Sequence, residues 1–167
     1  ACQTENLTTK EPDLSFVNRV DSMDSDADVV VVFGGTNDFG HGDAKLGTFE
    51  SRDPYTFYGA MHVLCEKLIN RFPNADILFM TPLHRCSEDE VSKENGLPEE
   101  TNLAGYVSII REVAEFYGLP VLDLFSTSGL QPKVDIIKET YMPDGLHPSD
   151  AGALRIALRL MGFLQTL

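Results

Sequence analysis

Three short runs of consecutive apolar residues constrain the fold of this chain more than any other feature of its sequence. The runs are Val29 to Phe33, Ile77 to Met80 and Val121 to Phe125. Each run is apolar on successive residues, the pattern of strands that are buried on both faces of a parallel sheet. All three are far shorter than the roughly 18 to 20 apolar residues that span a bilayer, so no transmembrane helix is predicted.

Amphipathic segments lie between these runs and after the last of them. Apolar residues recur at helical spacing over Thr56 to Arg71, over 103 to 117 and over Asp150 to Leu164. Asp53, followed directly by a proline, predicts the start of the first helix. The alternation of strands and helices predicts the α/β class, with helices packed on both faces of an open parallel sheet.

The length of the chain indicates its number of domains, and its net charge indicates which partners are disfavoured. With 167 residues, the chain is long enough for one domain with a full hydrophobic core, and we expect a single domain over 1–167. Its formal net charge of -13 disfavours attraction to phosphate backbones and anionic lipid. We therefore expect neither a nucleic acid nor a membrane surface as a partner.

The cysteines do not form a pattern of structural importance. Cys2, Cys65 and Cys86 are odd in number and widely spaced, which suits neither a disulfide framework nor a zinc site. We interpret them as buried or incidental free thiols, which favours a cytoplasmic location, and we expect no metal or cofactor.

Polar residues directly after the first apolar run lie where ligands bind in open parallel sheets, outside the carboxyl ends of the strands. The run leads into residues 34–38, Gly-Gly-Thr-Asn-Asp. The glycines permit a sharp turn, and the neutral amide of Asn37 follows at once. Taken alone, Asn37 is equally compatible with a plain turn.

A second group of polar residues precedes the last helix. Asp144 and His147 are three residues apart in a segment that is typical of a tight turn. Such spacing lets a carboxylate accept from one imidazole nitrogen and leaves the other nitrogen free as a general base. The alternative is a helix-entry turn with a surface histidine.

The two motifs together resemble those of one hydrolase family. Residues 35–38 resemble the G-x-N-D motif of SGNH (GDSL-like) hydrolases, and residues 144–148 resemble their D-x-x-H-P motif. The resemblance extends from about Ser15 to the C-terminus and includes residues 56–60 and 81–83. It implies a flavodoxin-like, three-layer α/β/α fold.

The resemblance also implies an activity and a set of site residues. The activity is that of a serine esterase that forms an acyl-enzyme on small-molecule or carbohydrate esters. The sequence has no long apolar stretch that would form a lid or groove for a fatty chain, so we expect short-acyl or sugar O-acetyl esters. His147 would be the general base, Asp144 would orient it, and Asn37 would donate to the oxyanion. From their positions after the first and second apolar runs, the candidate substrate contacts are Gly35, Thr36, Thr81 and His84, with a solvent-facing loop position as the alternative for His84.

The nucleophilic serine of this family is not recognisable in the chain. Family members carry it in a G-D-S motif at the end of their first strand, before the asparagine motif. The pairs Asp21-Ser22 and Asp24-Ser25 follow neither an apolar run nor a glycine. We therefore expect the serine and at least one strand with its crossover, about 30 residues or more, to lie upstream of Ala1.

Three alternatives stay open at the level of sequence. The chain could be a carbohydrate-binding relative without catalysis, or a lysophospholipase or thioesterase of the same fold. A metallo-hydrolase using His41, His84 and His147 is the third, although no pair of residues has metal-binding spacing such as H-E-x-x-H. No sequence feature indicates the oligomeric state.

Overall fold

A computed structural model of the chain describes residues 15–41, 45–90 and 101–167. Cys65 is buried and Cys86 is exposed, and both are free thiols, whereas Cys2 lies outside the described residues. Within the described ranges, no helix is both long enough and apolar enough to cross a bilayer.

The core of the fold is a parallel sheet of three strands, β1 (Val29–Phe33), β2 (Asp76–Met80) and β3 (Val121–Leu122). The strand order is β1-β2-β3, so the described part of the sheet has β2 at its centre. Because the connections between parallel strands are crossovers, a helix packs against the sheet after β1 and again after β2. The predicted α/β class and the parallel sheet are confirmed.

The helices differ greatly in length, and each of the three long ones begins at a side chain that caps it. The side chains of Thr56, Asn102 and Ser149 accept a hydrogen bond from a backbone N–H three residues later, as N-cap residues do. The helices are α1 (Phe16–Arg19, followed by a 3₁₀ turn at Val20–Ser22), α2 (Thr36–His41), α3 (Phe57–Arg71), α4 (Leu103–Phe116), α5 (Leu124–Thr127), α6 (Asp135–Tyr141) and α7 (Asp150–Leu164).

Two apolar cores, one on each face of the sheet, make the molecule three-layered. The residues of β2 alternate between the cores: Ile77 and Phe79 face one, whereas Leu78 and Met80 face the other. The first core includes buried side chains of α1, α3 and α4, and the second includes Ile156 of α7 together with partly buried side chains of α6. This arrangement gives the three-layer order of helices, sheet and helices.

The third apolar run is not a strand over its whole length, as the sequence pattern had predicted. β3 ends at Leu122, because Asp123 starts α5 by accepting a hydrogen bond from the N–H of Ser126 at 3.2 Å. The Asp123 carbonyl also accepts from the N–H of Thr127 at 3.0 Å. The apolar residues 124 and 125 therefore belong to a short helix.

The predicted start of α3 is also wrong. The helix begins after Thr56, whose hydroxyl oxygen accepts from the N–H of Gly59 at 3.1 Å. Asp53 instead accepts from the N–H of Tyr55 at 3.0 Å and so closes a turn in front of the helix. An aspartate two residues before an N–H donor makes such a turn as readily as it caps a helix.

One face of β1 lacks the cover that the sequence pattern predicts. Val30 and Val32 are buried in the first core, but Val29, Val31 and Phe33 are 40–44% exposed. Within the described residues, β1 pairs only with β2, and an apolar groove of about 490 Å³ runs beside it, between α1 and α3. The prediction that this strand is buried on both faces is therefore wrong for the described part of the chain.

Candidate active site

Asp144 and His147 form a hydrogen-bonded pair in the turn before α7. The Nδ1 atom of His147 lies 2.6 Å from Oδ2 of Asp144. The second carboxylate oxygen, Oδ1, accepts from the N–H of Leu146 at 2.9 Å and from the N–H of His147 at 2.7 Å. Both carboxylate oxygens thus accept hydrogen bonds from the same four-residue turn. The imidazole is held with Nε2 away from the carboxylate.

The same hydrogen bonds fix the charge of Asp144. The His147 side chain, followed by the N–H groups of His147 and Leu146, lowers the pKa of Asp144 well below its usual range. Asp144 is therefore an anion at neutral pH. A carboxylate on Nδ1 selects the tautomer that leaves Nε2 unprotonated and able to accept a proton.

Neighbouring segments hold the turn that carries this pair. Gly145 has a φ of +77°, a left-handed conformation that side chains rarely adopt. Its N–H donates to the carbonyl of Met142 at 2.8 Å, and its carbonyl accepts from the N–H of Cys86 at 2.9 Å. On the other side, the hydroxyl of Ser149 donates to the carbonyl of Thr140 at 2.9 Å.

Asn37 lies in the first turn of α2, directly after β1. The sharp turn between β1 and α2 uses Gly35, whose φ is +99° and at which a Cβ would lie only 3.0 Å from Cδ1 of Ile110. The side chain of Asn37 is exposed, and no hydrogen bond joins its amide to another residue in the described part of the chain. Its two amide hydrogens are thus available to a ligand.

A small groove brings the two motifs together at the carboxyl end of β1 and β2. It has a volume of about 180 Å³. Its residues come from the ends of both strands, from α2 and from the turn before α7: Phe33, Gly34, Thr36, Asn37, Pro82, Leu83, Leu146, His147 and Pro148. Asn37 and His147 therefore face one space, and Asp144 supports His147 from behind.

Of the four candidate substrate contacts, only Thr36 lines this groove. Gly35 is buried beneath it. Thr81 is fully buried, and its hydroxyl donates to Oδ1 of Asp123 at 3.0 Å and accepts from the N–H of Phe125 at 2.9 Å. In this arrangement the Thr81 hydroxyl joins the ends of β2 and β3.

The side chain of His84, the fourth candidate, is directed to a carboxylate. Its Nδ1 lies 2.6 Å from Oε2 of Glu88, and its ring packs on the ring of Phe125 with centroids 3.9 Å apart. Within the described ranges, no three His, Cys, Asp or Glu side chains are grouped so that they could hold a metal ion.

Glu88 is a buried residue that the sequence did not single out. Burial alone would raise its pKa, but hydrogen bonds from Lys133, His84 and Gln131 outweigh that effect and lower the pKa. Only 6% of the residue is exposed. A glutamate within an acidic, turn-rich segment carries no sequence signal that separates it from its solvated neighbours.

Comparison with known proteins identifies a family over most of the chain. The profile of the GDSL-like lipase/acylhydrolase family matches residues 5–155. No curated protein sequence matches the chain.

Solved structures share the fold of this chain. One is 41% identical to the chain, with a TM-score of 0.79, and the alignment covers 92% of this chain and 71% of the other. A protein from Lactobacillus plantarum is 31% identical, with a TM-score of 0.81 and coverage of 92% and 74%. A protein from Chitinophaga pinensis, named a possible lipase, shares the fold at 22% identity, with a TM-score of 0.67 and coverage of 90% and 77%.

Proposed function

Because the chain belongs to the GDSL-like lipase/acylhydrolase family, we propose that it is a serine esterase acting through an acyl-enzyme, with Asp144, His147 and Asn37 in its active site. The observation that carries the proposal is the 2.6 Å pair of Asp144 and His147 beside a groove that Asn37 also lines. Acyl transfer from a serine requires an oriented imidazole and an amide donor, and the amide of Asn37 bonds to no residue in the part of the chain that the structure describes.

In the proposed reaction, a serine hydroxyl attacks the ester carbonyl and its proton passes to Nε2 of His147. Asp144 stabilises the imidazolium that results, and the side-chain amide of Asn37 donates to the oxyanion of the tetrahedral intermediate. His147 then gives the proton to the departing alcohol, which leaves an acyl-serine. A water molecule, deprotonated by His147, hydrolyses the acyl-serine in the same manner.

The serine itself belongs, on this proposal, to a segment upstream of Ala1 that adds a strand beside β1. The exposed side chains of Val29, Val31 and Phe33 on one face of β1 and the 490 Å³ groove beside the strand support this placement, because an added strand brings a crossover that packs on the sheet. Among the described residues no strand pairs with the other edge of β1, and an open strand edge is a surface that proteins normally cover. A strand added there would end next to the groove that holds His147.

The proposed substrates are short-acyl esters, including sugar O-acetyl esters. The groove volume of about 180 Å³ is below the roughly 300–1,000 Å³ of pockets that hold drug-sized ligands. Its walls include Pro82, Leu83 and Leu146, which suit a small apolar acyl group. We expect p-nitrophenyl acetate and butyrate to be hydrolysed with a higher kcat/KM than the octanoate ester. A preference for the octanoate would favour a lysophospholipase or thioesterase instead.

The test of the function is hydrolysis of p-nitrophenyl acetate by the natural-length protein and by its His147→Ala variant. We expect turnover that survives a chelator and falls by at least about 10³-fold in the variant. Turnover that is abolished by the chelator would indicate a metallo-hydrolase. An inert natural-length protein that still binds acetylated sugars would indicate a carbohydrate-binding relative.

The position of the nucleophile needs a separate test. We expect a serine-directed fluorophosphonate to label the natural-length protein, and peptide mapping to place the label upstream of Ala1. Labelling of a serine within residues 1–167 would contradict this part of the proposal.

A further inference from the structure

The segment that leaves β2 reaches α2, the helix that carries Asn37, through the side chain of Arg85. The Nη1 atom of Arg85 lies 3.4 Å from the carbonyl oxygen and 3.5 Å from the hydroxyl oxygen of Thr36. Its guanidinium carbon lies 5.4 Å from the ring centre of Phe39, and a Cβ on Gly40 would come within 2.8 Å of Nη1. Arg85 thus contacts α2 on both sides of Asn37 in the sequence.

The next residue, Cys86, reaches the turn that carries His147. Its N–H donates to the carbonyl of Gly145 at 2.9 Å. Its side chain packs so closely on this turn that a Cβ on Gly145 would lie 2.5 Å from the sulfur. Two consecutive residues therefore contact the two structural units that supply Asn37 and His147 to the groove.

Glu88 anchors this connection. Its Oε2 accepts from Nδ1 of His84 at 2.6 Å and from the N–H of Arg85 at 3.3 Å. Its Oε1 accepts from Nε2 of Gln131 at 3.1 Å and lies 2.9 Å from Nζ of Lys133. A buried carboxylate with this many donors fixes the backbone around it, because each lost donor would leave charge unpaired in the interior.

We propose that Arg85 is a positioning residue that holds Asn37 at the distance from His147 that the reaction requires, with Cys86 as the second contact of the same bridge. The inference rests on the proposed esterase function. Arg85 itself does not line the groove as described, so it acts through α2 and not on the substrate. Misplacement of a reacting group by about 1 Å can cost about 10²-fold in rate, so a fixed spacing matters for turnover more than for binding.

The kinetic test is the Arg85→Ala variant of the natural-length protein. We expect kcat for p-nitrophenyl acetate to fall by about 10- to 100-fold while KM changes by less than about twofold, because a displaced oxyanion donor weakens binding of the transition state alone. Arg85→Lys keeps the charge but not the planar fork, so it should fold as the parent does and still show a reduced kcat. Added guanidinium ion should restore part of the kcat of Arg85→Ala.

Arg155→Ala is the matched control. The guanidinium of Arg155 makes the same two kinds of contact, with its carbon 4.8 Å from the ring centre of Tyr141 and its Nη1 3.3 Å from the carbonyl of Gly129. We expect this variant to lose a similar amount of thermal stability and to keep the parental kcat. Equal kcat losses in both variants would show that Arg85 acts on stability alone and would overturn the inference.

A spectroscopic measurement decides the inference independently of any turnover. We expect Arg85→Ala and Arg85→Lys to shift the side-chain amide signals of Asn37 in a ¹⁵N-correlated NMR spectrum, whereas Arg155→Ala leaves them in place. Unshifted Asn37 signals would overturn the positioning role even if the parent protein proved to be inert. An inert parent whose Asn37 signals do respond would contradict the esterase proposal and leave the bridge itself supported.

Discussion

At the scale of single residues, the carboxylate of Asp144 accepts three hydrogen bonds from within its own turn. Three donors, two of them backbone N–H groups, come from Leu146 and His147. The alternative for this segment, a helix-entry turn with a surface histidine, also agrees with these contacts, because the turn leads into α7 and the side chain of His147 is 75% exposed. Because both side chains are more than half exposed, the bonds fix orientation more than they add stability.

We expect NMR titration to give Asp144 a pKa below its ordinary value of 3.8. The lowered pKa means that the pair contributes stability above the pKa of the unfolded chain and loses it as the pH falls through the folded value. The His147→Ala variant removes the largest cause of the shift, so the pKa of Asp144 should rise towards 3.8. An unchanged value in the variant would show that the N–H groups alone hold the carboxylate.

Substitution of Asn37 tests the proposed oxyanion donor. We expect Asn37→Ala to lower kcat for p-nitrophenyl acetate by about 10²- to 10³-fold, because the amide strengthens its contact as charge develops on the oxygen. The melting temperature should hardly change, since the side chain is exposed. A parental kcat in this variant would remove Asn37 from the reaction.

At the scale of elements, two helical glycines should respond to alanine in opposite directions. In α7, Gly162 faces open space, so Gly162→Ala should stabilise the protein by about 0.5–1 kcal/mol through helix propensity. In α3, a Cβ on Gly59 would overlap the carbonyl oxygen of Asp53, so Gly59→Ala should destabilise by about 1–3 kcal/mol.

Urea unfolding of the two variants measures both effects on the same scale. The pair also tests how α3 is seated, because the clash at Gly59 exists only if the turn around Asp53 packs on the first turn of the helix. Stabilisation by both substitutions would show that this turn moves aside at little cost.

β1, β2 and the three long helices were predictable from sequence, and the short helices were not. In these elements the apolar residues are consecutive, as in a buried strand, or recur at helical spacing, so each element can be recognised in the sequence. The short helices α2 and α5 have one or two turns each, and their starts depend on single residues such as Asp123. In a helix of one or two turns, contacts with residues distant in sequence outweigh the helix propensity of the residues themselves. The hydrogen bond between Thr81 and Asp123 is such a contact.

At the scale of the whole molecule, a buried histidine gives the stability a dependence on pH near neutrality. His62 is fully buried, with its ring edge-on to Phe49, Phe116 and Tyr117 at centroid distances of 5.0–5.6 Å. Burial, followed by the charge of Arg52, lowers its pKa below the ordinary 6.5. The unfolded chain therefore takes up a proton first as the pH falls, so stability is complete above about pH 6.5 and decreases below it.

We expect the parent protein to lose more free energy of unfolding between pH 7.5 and pH 5.5 than the His62→Gln variant does. The variant is less stable at pH 7.5, because it loses aromatic contacts, but it lacks the group that protonates in this window. Urea unfolding at the two pH values measures the difference. Equal losses in the two proteins would assign the pH dependence to other groups.

The contact between Asp144 and His147 was predictable because it is local in sequence, whereas Asn37 was assigned to the same groove only through the family resemblance. Asp144 and His147 are three residues apart, so the motif and the contact coincide. Arg85 contacts Thr36 across 49 residues and Glu88 accepts from Gln131 across 43, and no spacing rule reports such pairs. The fold determines them, through the parallel strands that bring their carboxyl ends to one edge.

The turn of residues 144–147 has a consequence for engineering. The proposed base and its orienting acid stand within four consecutive residues, so a graft of this turn onto another helix entry would carry the pair and its three hydrogen bonds. The graft would also need the contacts that hold the turn, from the N–H of Cys86 to the carbonyl of Gly145 and from the hydroxyl of Ser149 to the carbonyl of Thr140. In the proposed bridge, the spacing between Asn37 and the pair depends on side chains from a separate part of the chain, so a designer would have to build that distance anew.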